Sequence, residues 1–217
     1  MFDQFKLVGR KMFEEGLVGS HCGSLSIRQG DKIIITRKNV MLSELDDDCF
    51  VEVPVAGDNN SEASAELLLH RSIYMGSTAK AVIHAKPVYA MAMAVHEEKI
   101  NPLDFDAKNC LRYIPVIRVR DPLSIDELNR FLLPALKNGH PCSIIRGYGS
   151  FSIGNDLMEA YMYLSVAERA CKIVNFSRSG ESSYAKRDDK PKPQQRTFRS
   201  AIPPSIGVMD RSYRRKR

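Results

Sequence analysis

Residues 81–90 read Ala-Val-Ile-His-Ala-Lys-Pro-Val-Tyr-Ala, a short apolar run that ends in a lone histidine with a lysine two places on. Side chains at positions i and i+2 of a strand point to the same face, so we expect His84 and Lys86 to lie side by side. A protein metal site needs two or three neutral or anionic donors at such a point. This stretch offers one donor and one cation.

Outward from this run, strand and helix patterns mingle along the chain. Alternating or compact apolar runs predict strands, and apolar residues at helical spacing predict helices. The predicted strands cover 24–28, 32–36, 50–53, 81–84, 113–117, 142–145 and 150–153, and the predicted helices cover 2–15, 64–74, 88–95, 125–136 and 156–176. The order lacks the regular rhythm of a doubly wound sheet, so we predict a mixed α/β domain with one helix-covered sheet.

Composition and charge divide the chain into a globular part and a basic tail. The chain has 217 residues, of which 43% are hydrophobic, and no apolar run approaches the length of a membrane span. Residues 182–217 carry eleven Lys/Arg against three Asp, while residues 1–181 are close to neutral. We predict a domain over 1–181 and a disordered tail over 182–217. Five scattered cysteines and the lack of a signal peptide predict a cytoplasmic protein with reduced thiols.

Five segments, in order, resemble motifs of the class II aldolase/adducin family. They are Cys22-Gly23-Ser24-Leu25-Ser26-Ile27-Arg28, Ile34-Ile35-Thr36-Arg37-Lys38-Asn39, Ala63-Ser64-Ala65-Glu66 with His70 and Tyr74 downstream, Val82 to Ala90, and Ile144-Ile145-Arg146-Gly147-Tyr148-Gly149. The resemblance covers roughly residues 3–176 and leaves the basic tail outside.

The resemblance implies a three-layer α/β/α sandwich with a mainly antiparallel central sheet, assembled as a homo-oligomer, typically a tetramer. In the family, three histidines hold zinc at a subunit interface, an acidic residue acts as acid/base, and Gly, Asn and Ser residues cradle the substrate's phosphate. Here His84 matches the first histidine, whereas Lys86 and Tyr148 stand in place of the other two. One histidine is too little for tight zinc binding, so we expect no cofactor and keep weak zinc binding at His84 as the less favoured alternative.

Glu66 matches the catalytic acid/base, and the sequence leaves two readings of Lys86 open. In one, Lys86 and Glu66 form a buried ion pair in which the ammonium replaces the metal's charge. In the other, burial activates Lys86 to form a Schiff base with a carbonyl substrate. Tyr148 is a candidate catalytic residue because a phenolate could ligate a metal, although the reference pKa of tyrosine, near 10, disfavours this form.

The predicted phosphate cradle consists of Gly23, Ser24, Lys38, Asn39 and Ser64. Asn39 stands where the family has a glycine and tolerates a left-handed backbone. The cations at Arg37 and Lys38 suit an anionic ligand, but the sequence equally allows them to be solvated turn residues. The basic tail suggests a second partner, a polyanion such as nucleic acid or an anionic membrane surface, bound with steep salt dependence.

Two functions therefore follow as hypotheses. The first is a family member with a degraded zinc site that acts as an oligomeric binding protein for an anionic small molecule. The alternative is an aldolase or epimerase acting on a sugar phosphate, with Glu66 as acid/base. It would use a rearranged metal site or Lys86 as the electrophile. A metal measurement paired with an aldol-cleavage assay distinguishes them.

Overall fold

One eight-stranded sheet organises the chain in a computed structural model that describes residues 2–121 and 124–185. Its strands are β1 (Ser24–Gln29), β2 (Lys32–Thr36), β3 (Phe50–Pro54), β4 (Ala81–Ala85), β5 (Lys99–Ile100), β6 (Ile114–Ile117), β7 (Cys142–Ile145) and β8 (Gly149–Gly154). The spatial order is β3-β2-β1-β4-β8-β7-β6-β5. Every neighbouring pair is antiparallel except β6 and β7, which are parallel.

Helices cover both faces of the sheet and form two separate cores. They are α1 (Phe2–Glu14), α2 (Leu67–Gly76), α3 (Val88–Ala94), α4 (Phe105–Leu111), α5 (Ile125–Lys137) and α6 (Leu157–Ala185). Buried residues of α1, α3, α4 and α6 share one apolar cluster, and those of α2 and α5 share the other. The three-layer α/β/α fold with a mainly antiparallel sheet is therefore confirmed.

Strand alternation assigns each core its residues. In β2, Ile33 and Ile35 pack towards α2 and α5, while Ile34 packs towards the opposite layer. In β4, Val82 faces the α2 side and Ile83 faces the other. Full burial of an isoleucine stabilises a fold by about 1.5–3 kcal/mol, so both faces of the sheet contribute to stability. The strand register is strongly specified, because a slip of one residue would move each side chain to the opposite face.

The sheet brings several chain segments to one edge. Because β2, β4 and β7 all run in the same direction, the residues that follow them emerge at the same edge. These are residues 37–39, 86 and 146–148. The start of β1 reaches the same edge, since Ser24 lies opposite His84. Segments far apart in sequence meet there.

Before the last helix, the described elements differ from the predicted ones by more than two residues in three places. The helix predicted from residue 64 begins at Leu67, so Ser64 and Glu66 lie in the turn before it. The two-residue strand β5 and the short helix α4 were not predicted, although Asp104 is an N-cap whose carboxylate accepts from the backbone N–H of Ala107.

The last helix continues into the predicted tail. Helix α6 includes residues 182–185, whereas 186–217 lie outside the described residues. The domain boundary at 181 and the disorder of the tail therefore stay predictions. None of the helices that the structure describes is long and apolar enough to span a membrane.

Candidate functional site

An aromatic cluster surrounds His84 at the end of β4. The His84 side chain is fully buried, and its cross-strand neighbour on β8 is Phe151. The centroid of the His84 ring lies 4.6 Å from that of Phe151 and 5.0 Å from that of Tyr148, and the interplanar angles are 19° and 18°. Both pairs are nearly parallel stacks, and such aromatic contacts stabilise a fold beyond the area they bury. The imidazole is thus packed against two rings.

Backbone geometry at Gly149 permits this packing. A Cβ atom at residue 149 would lie 2.5 Å from Nε2 of His84 and 2.5 Å from the carbonyl oxygen of Ala85. Only glycine allows the turn before β8 to approach the imidazole so closely.

Glu66 lies beside His84 with its carboxylate surrounded by donors. Tyr148 donates its hydroxyl hydrogen to Oε1 over 3.2 Å, and Ser64 donates to Oε2. Nδ1 of His84 lies 3.3 Å from Oε1, but the contact is not aligned as a hydrogen bond. Neither ring nitrogen of His84 has a hydrogen-bond partner among the residues that the structure describes.

These contacts set the charge of Glu66. Burial raises the pKa of the carboxyl, whereas the contacts with His84 and Ser64 lower it by more, so the net pKa lies well below its usual range. Glu66 is therefore ionised at neutral pH. A general base works best with a pKa near the operating pH, and Glu66 is far from that condition.

The buried ion pair predicted between Lys86 and Glu66 is not formed, and that prediction is wrong. Lys86 is exposed, and its ammonium lies 5.7 Å from the ring centroid of Tyr148. Strand β4 ends at Ala85, so the two-residue alternation that would have placed Lys86 next to buried His84 no longer applies at position 86. Within the described part of the chain, Lys86 has no ion-pair partner.

The residues at this site do not fit zinc. His84 is a single donor, and burial together with the neighbouring Glu66 raises the pKa of Tyr148 above its usual range, which disfavours a phenolate ligand. Among the described residues, no group of three His, Cys, Asp or Glu side chains is arranged to hold a metal ion. A structural or catalytic zinc needs three or four protein ligands.

A cleft of about 130 Å³ opens beside Glu66. Two of the three predicted catalytic residues, Glu66 and Lys86, line it, whereas Tyr148 does not. Four of the five residues predicted to cradle phosphate also line it: Gly23, Lys38, Asn39 and Ser64. Asn39 adopts the left-handed backbone, with φ 61°. Arg37 also lines the cleft, but its guanidinium pairs with Glu62.

Ser24, the fifth residue of the predicted cradle, lies apart from the cleft. It is fully buried, and its hydroxyl is 3.0 Å from Nε2 of His70. Ser26 lies 2.7 Å from Nδ1 of the same ring and 2.7 Å from the hydroxyl of Tyr74. The four side chains form a buried network that joins β1 to α2.

Sequence reasoning singled out His70 and Tyr74 but missed the roles of Phe151 and Ser26. Phe151 belongs to a predicted strand, and only the pairing of β4 with β8 reveals that it lies against His84. Ser26 could have been found from its polar side chain two places after Ser24, on the same face of a strand.

The fold and the site together define an α/β domain of the class II aldolase type. The chain matches the family described as Class II Aldolase and Adducin N-terminal domain over residues 4–174, and it belongs to that family.

Relatives and solved structures agree with this assignment. The L-fuculose phosphate aldolase of Methanocaldococcus jannaschii is 24% identical over 173 residues, which cover 79% of this chain and 93% of that protein. The L-fuculose-1-phosphate aldolase structure from Thermus thermophilus superposes with a TM-score of 0.80 at 28% identity, covering 84% of this chain and 96% of that one. The sugar-phosphate aldolase of Thermotoga maritima shares the fold, with a TM-score of 0.67 at 19% identity, over 80% of this chain and 93% of that chain.

Proposed function

We propose that this protein is a binding member of the class II aldolase family that holds a small anionic molecule and does not carry out zinc-dependent aldol cleavage. The observation that supports this proposal is the packing of His84. Its ring is stacked on Tyr148 and Phe151, and exposed Lys86 and half-buried Tyr148 stand where the family places two further ligands. The cations at Lys38 and Lys86 favour an anion in the adjoining cleft.

The test measures metal and activity on the same preparation. The protein is purified without chelators or a metal-affinity step, its zinc content is measured, and it is assayed for cleavage of fuculose 1-phosphate and a panel of ketose phosphates. We expect substoichiometric zinc and no cleavage. About one zinc per chain together with cleavage would overturn the proposal.

A double variant tests the origin of the site. Lys86→His with Tyr148→His restores the three-histidine pattern at positions 84, 86 and 148. We expect this variant to bind about one zinc per chain, whereas Lys86→His alone leaves two donors and binds zinc more weakly. Absence of zinc from a folded double variant would contradict the idea that only these two ligands were replaced.

An aldolase or epimerase remains the second candidate function because the relatives are named as aldolases. Glu66 would be its acid/base, and Lys86 the electrophile if no metal takes part. The exposed position of Lys86 counts against the Schiff-base form of this activity, which requires burial to activate the amine. Borohydride trapping with ketose phosphates decides the Schiff-base form, since a covalent adduct at Lys86 would support it.

The proposal includes self-association, in a homo-oligomer that is a tetramer by resemblance. Large apolar side chains on the described surface support it, among them Phe105 at 78% and Val88 at 66% exposure. Light scattering after size-exclusion chromatography should give a mass several times 24.4 kDa.

A cytoplasmic location and a polyanion partner for the tail are also proposed. Retention on heparin would support the polyanion partner if it falls steeply with salt and is lost when the chain is truncated at residue 186.

A further inference from the structure

Two lysines without ion-pair partners line the same cleft. Lys38 and Lys86 are both exposed, and neither has a carboxylate within 4.0 Å in the part of the chain that the structure describes. The third cation of the lining, Arg37, is balanced by Glu62. The one carboxylate among the described lining residues, Glu66, accepts from Ser64 and Tyr148 but keeps its charge, so the lining has two unpaired cations against one anion. The cleft therefore has two cationic positions available to a ligand.

The sheet sets the separation of these two positions. Lys38 follows β2 and Lys86 follows β4, and β1 lies between these two strands. Since neighbouring strands lie about 4.8 Å apart, the backbones from which the two lysines extend are about 10 Å apart. Both side chains can reach a short molecule between them. A volume of about 130 Å³ is below the range of drug-sized ligand pockets and suits a small molecule.

The two positions differ in their surroundings. Lys38 lies in a turn beside Asn39, whose left-handed backbone shapes the loop, and Gly23 lines the same cleft. Lys86 lies over Tyr148, with its ammonium 5.7 Å from the ring centroid. A single ammonium binds a charged oxygen far better than a neutral one. A ligand that uses Lys86 should therefore carry an anionic group at that end.

We propose that the cleft selects a short phosphorylated hydroxy acid, with its phosphate at the Lys38 turn and its carboxylate at Lys86. This inference rests on the proposed anion-binding function and adds the chemical class of the ligand. Lys86 is then the residue that distinguishes a phosphorylated acid from a phosphorylated alcohol of the same length.

The experiment compares two probes that differ only at one end. 3-Phosphoglycerate and glycerol 3-phosphate share a phosphate and a three-carbon backbone, but the first ends in a carboxylate and the second in a hydroxymethyl group. Binding of each to the full-length protein is measured by titration calorimetry. We expect the acid to bind about ten- to a hundredfold more tightly, because a hydrogen bond between charged groups contributes about 1.5–3 kcal/mol.

Two matched variants separate the roles of the lysines. Lys86→Met keeps most of the side-chain length and removes the charge, so it should reduce the affinity for 3-phosphoglycerate to that for glycerol 3-phosphate. Lys38→Met should weaken both probes by a similar factor. Both lysines are exposed, and circular dichroism with urea unfolding should show unchanged folding in each variant.

The outcomes distinguish this inference from the function on which it rests. Equal wild-type affinity for the two probes, or a Lys86→Met variant that still prefers the acid, overturns the assignment of the carboxylate to Lys86 while leaving anion binding in place. Failure of the folded wild type to bind either probe, or inorganic phosphate, at millimolar concentration overturns both.

Discussion

Substitution of His70 by glutamine should change how the stability of the protein depends on pH. His70 is fully buried between two serine hydroxyls, at 3.0 Å and 2.7 Å from its ring nitrogens. Burial lowers the pKa of His70 from 6.5 to about 3, an effect that nearby Glu66 opposes and His84 reinforces. The folded protein therefore keeps this imidazole neutral at pH values where the unfolded chain binds a proton.

The sign and size of the effect follow from proton linkage. Because the pKa of His70 is lower in the folded state, stability is lost as pH falls below 6.5, and the loss is complete near pH 3. Each pH unit well inside this window costs about 1.4 kcal/mol, so the loss between pH 6.5 and pH 4.5 is about 2 kcal/mol. Glu66 adds its own loss only below its ordinary pKa of 4.5, since its folded pKa is lowered. Above pH 4.5, burial raises the pKa of Glu168, so its proton uptake opposes the loss from His70. Since Glu168 is present in both proteins, the difference between wild type and a His70 variant isolates the histidine.

Urea unfolding followed by far-ultraviolet circular dichroism, at several pH values between 7.5 and 4.5, measures the effect. His70→Gln should destabilise the protein at neutral pH through the altered hydrogen bonds, yet its stability should fall about 2 kcal/mol less over the interval than that of the wild type. His96→Gln, at an exposed histidine, should keep the wild-type slope. Parallel profiles for wild type and His70→Gln would refute the reasoning.

Three further substitutions, the first with a matched control, test a packing contact, a capping contact and a set of loop hydrogen bonds. Gly149→Ala should lower the free energy of unfolding by about 1–3 kcal/mol, because its Cβ would meet His84 at 2.5 Å. Gly147→Ala, in the same turn but with open space around it, should cost only about 1 kcal/mol of backbone strain, and equal urea midpoints for the two would contradict the clash. Glu168→Ala should lose about 1–2 kcal/mol in thermal melts, since this carboxylate accepts two backbone N–H groups at the start of α3. Arg71→Lys should speed proteolysis in residues 55–60, because the guanidinium donates to three carbonyl groups at positions 54, 57 and 58. An unchanged rate of proteolysis would show that these hydrogen bonds do not hold the loop.

The sequence predicted most elements because their periodicities are strong. Alternation placed the β1–β2 hairpin, and helical spacing placed α1 and α5 to within two residues. Strand β5 has two residues, too few for any period to show. Helix α4 has seven residues and depends on the cap at Asp104 and on burial against α6 for its stability.

The candidate site was predicted as a set of residues but not as a set of contacts. Motif positions brought Glu66, His84 and Tyr148 together, and the structure places them in contact. The exposed position of Lys86, without an ion-pair partner among the described residues, could not be read from the sequence, since it depends on where β4 ends. The position of Phe151 depends on the sheet order, which links strands about 65 residues apart.

The separation of the two cores bears on how such a site changes over evolution. The rings of Tyr148 and Phe151 pack with the apolar cluster of α2 and α5, while the larger cluster under α1, α3, α4 and α6 includes neither. Substitutions on one side of the sheet therefore leave the packing on the other side intact. A lineage could therefore exchange metal ligands for other side chains while most of the folding free energy of the domain stayed unaltered. The same separation makes the domain a suitable scaffold for installing new ligand sets.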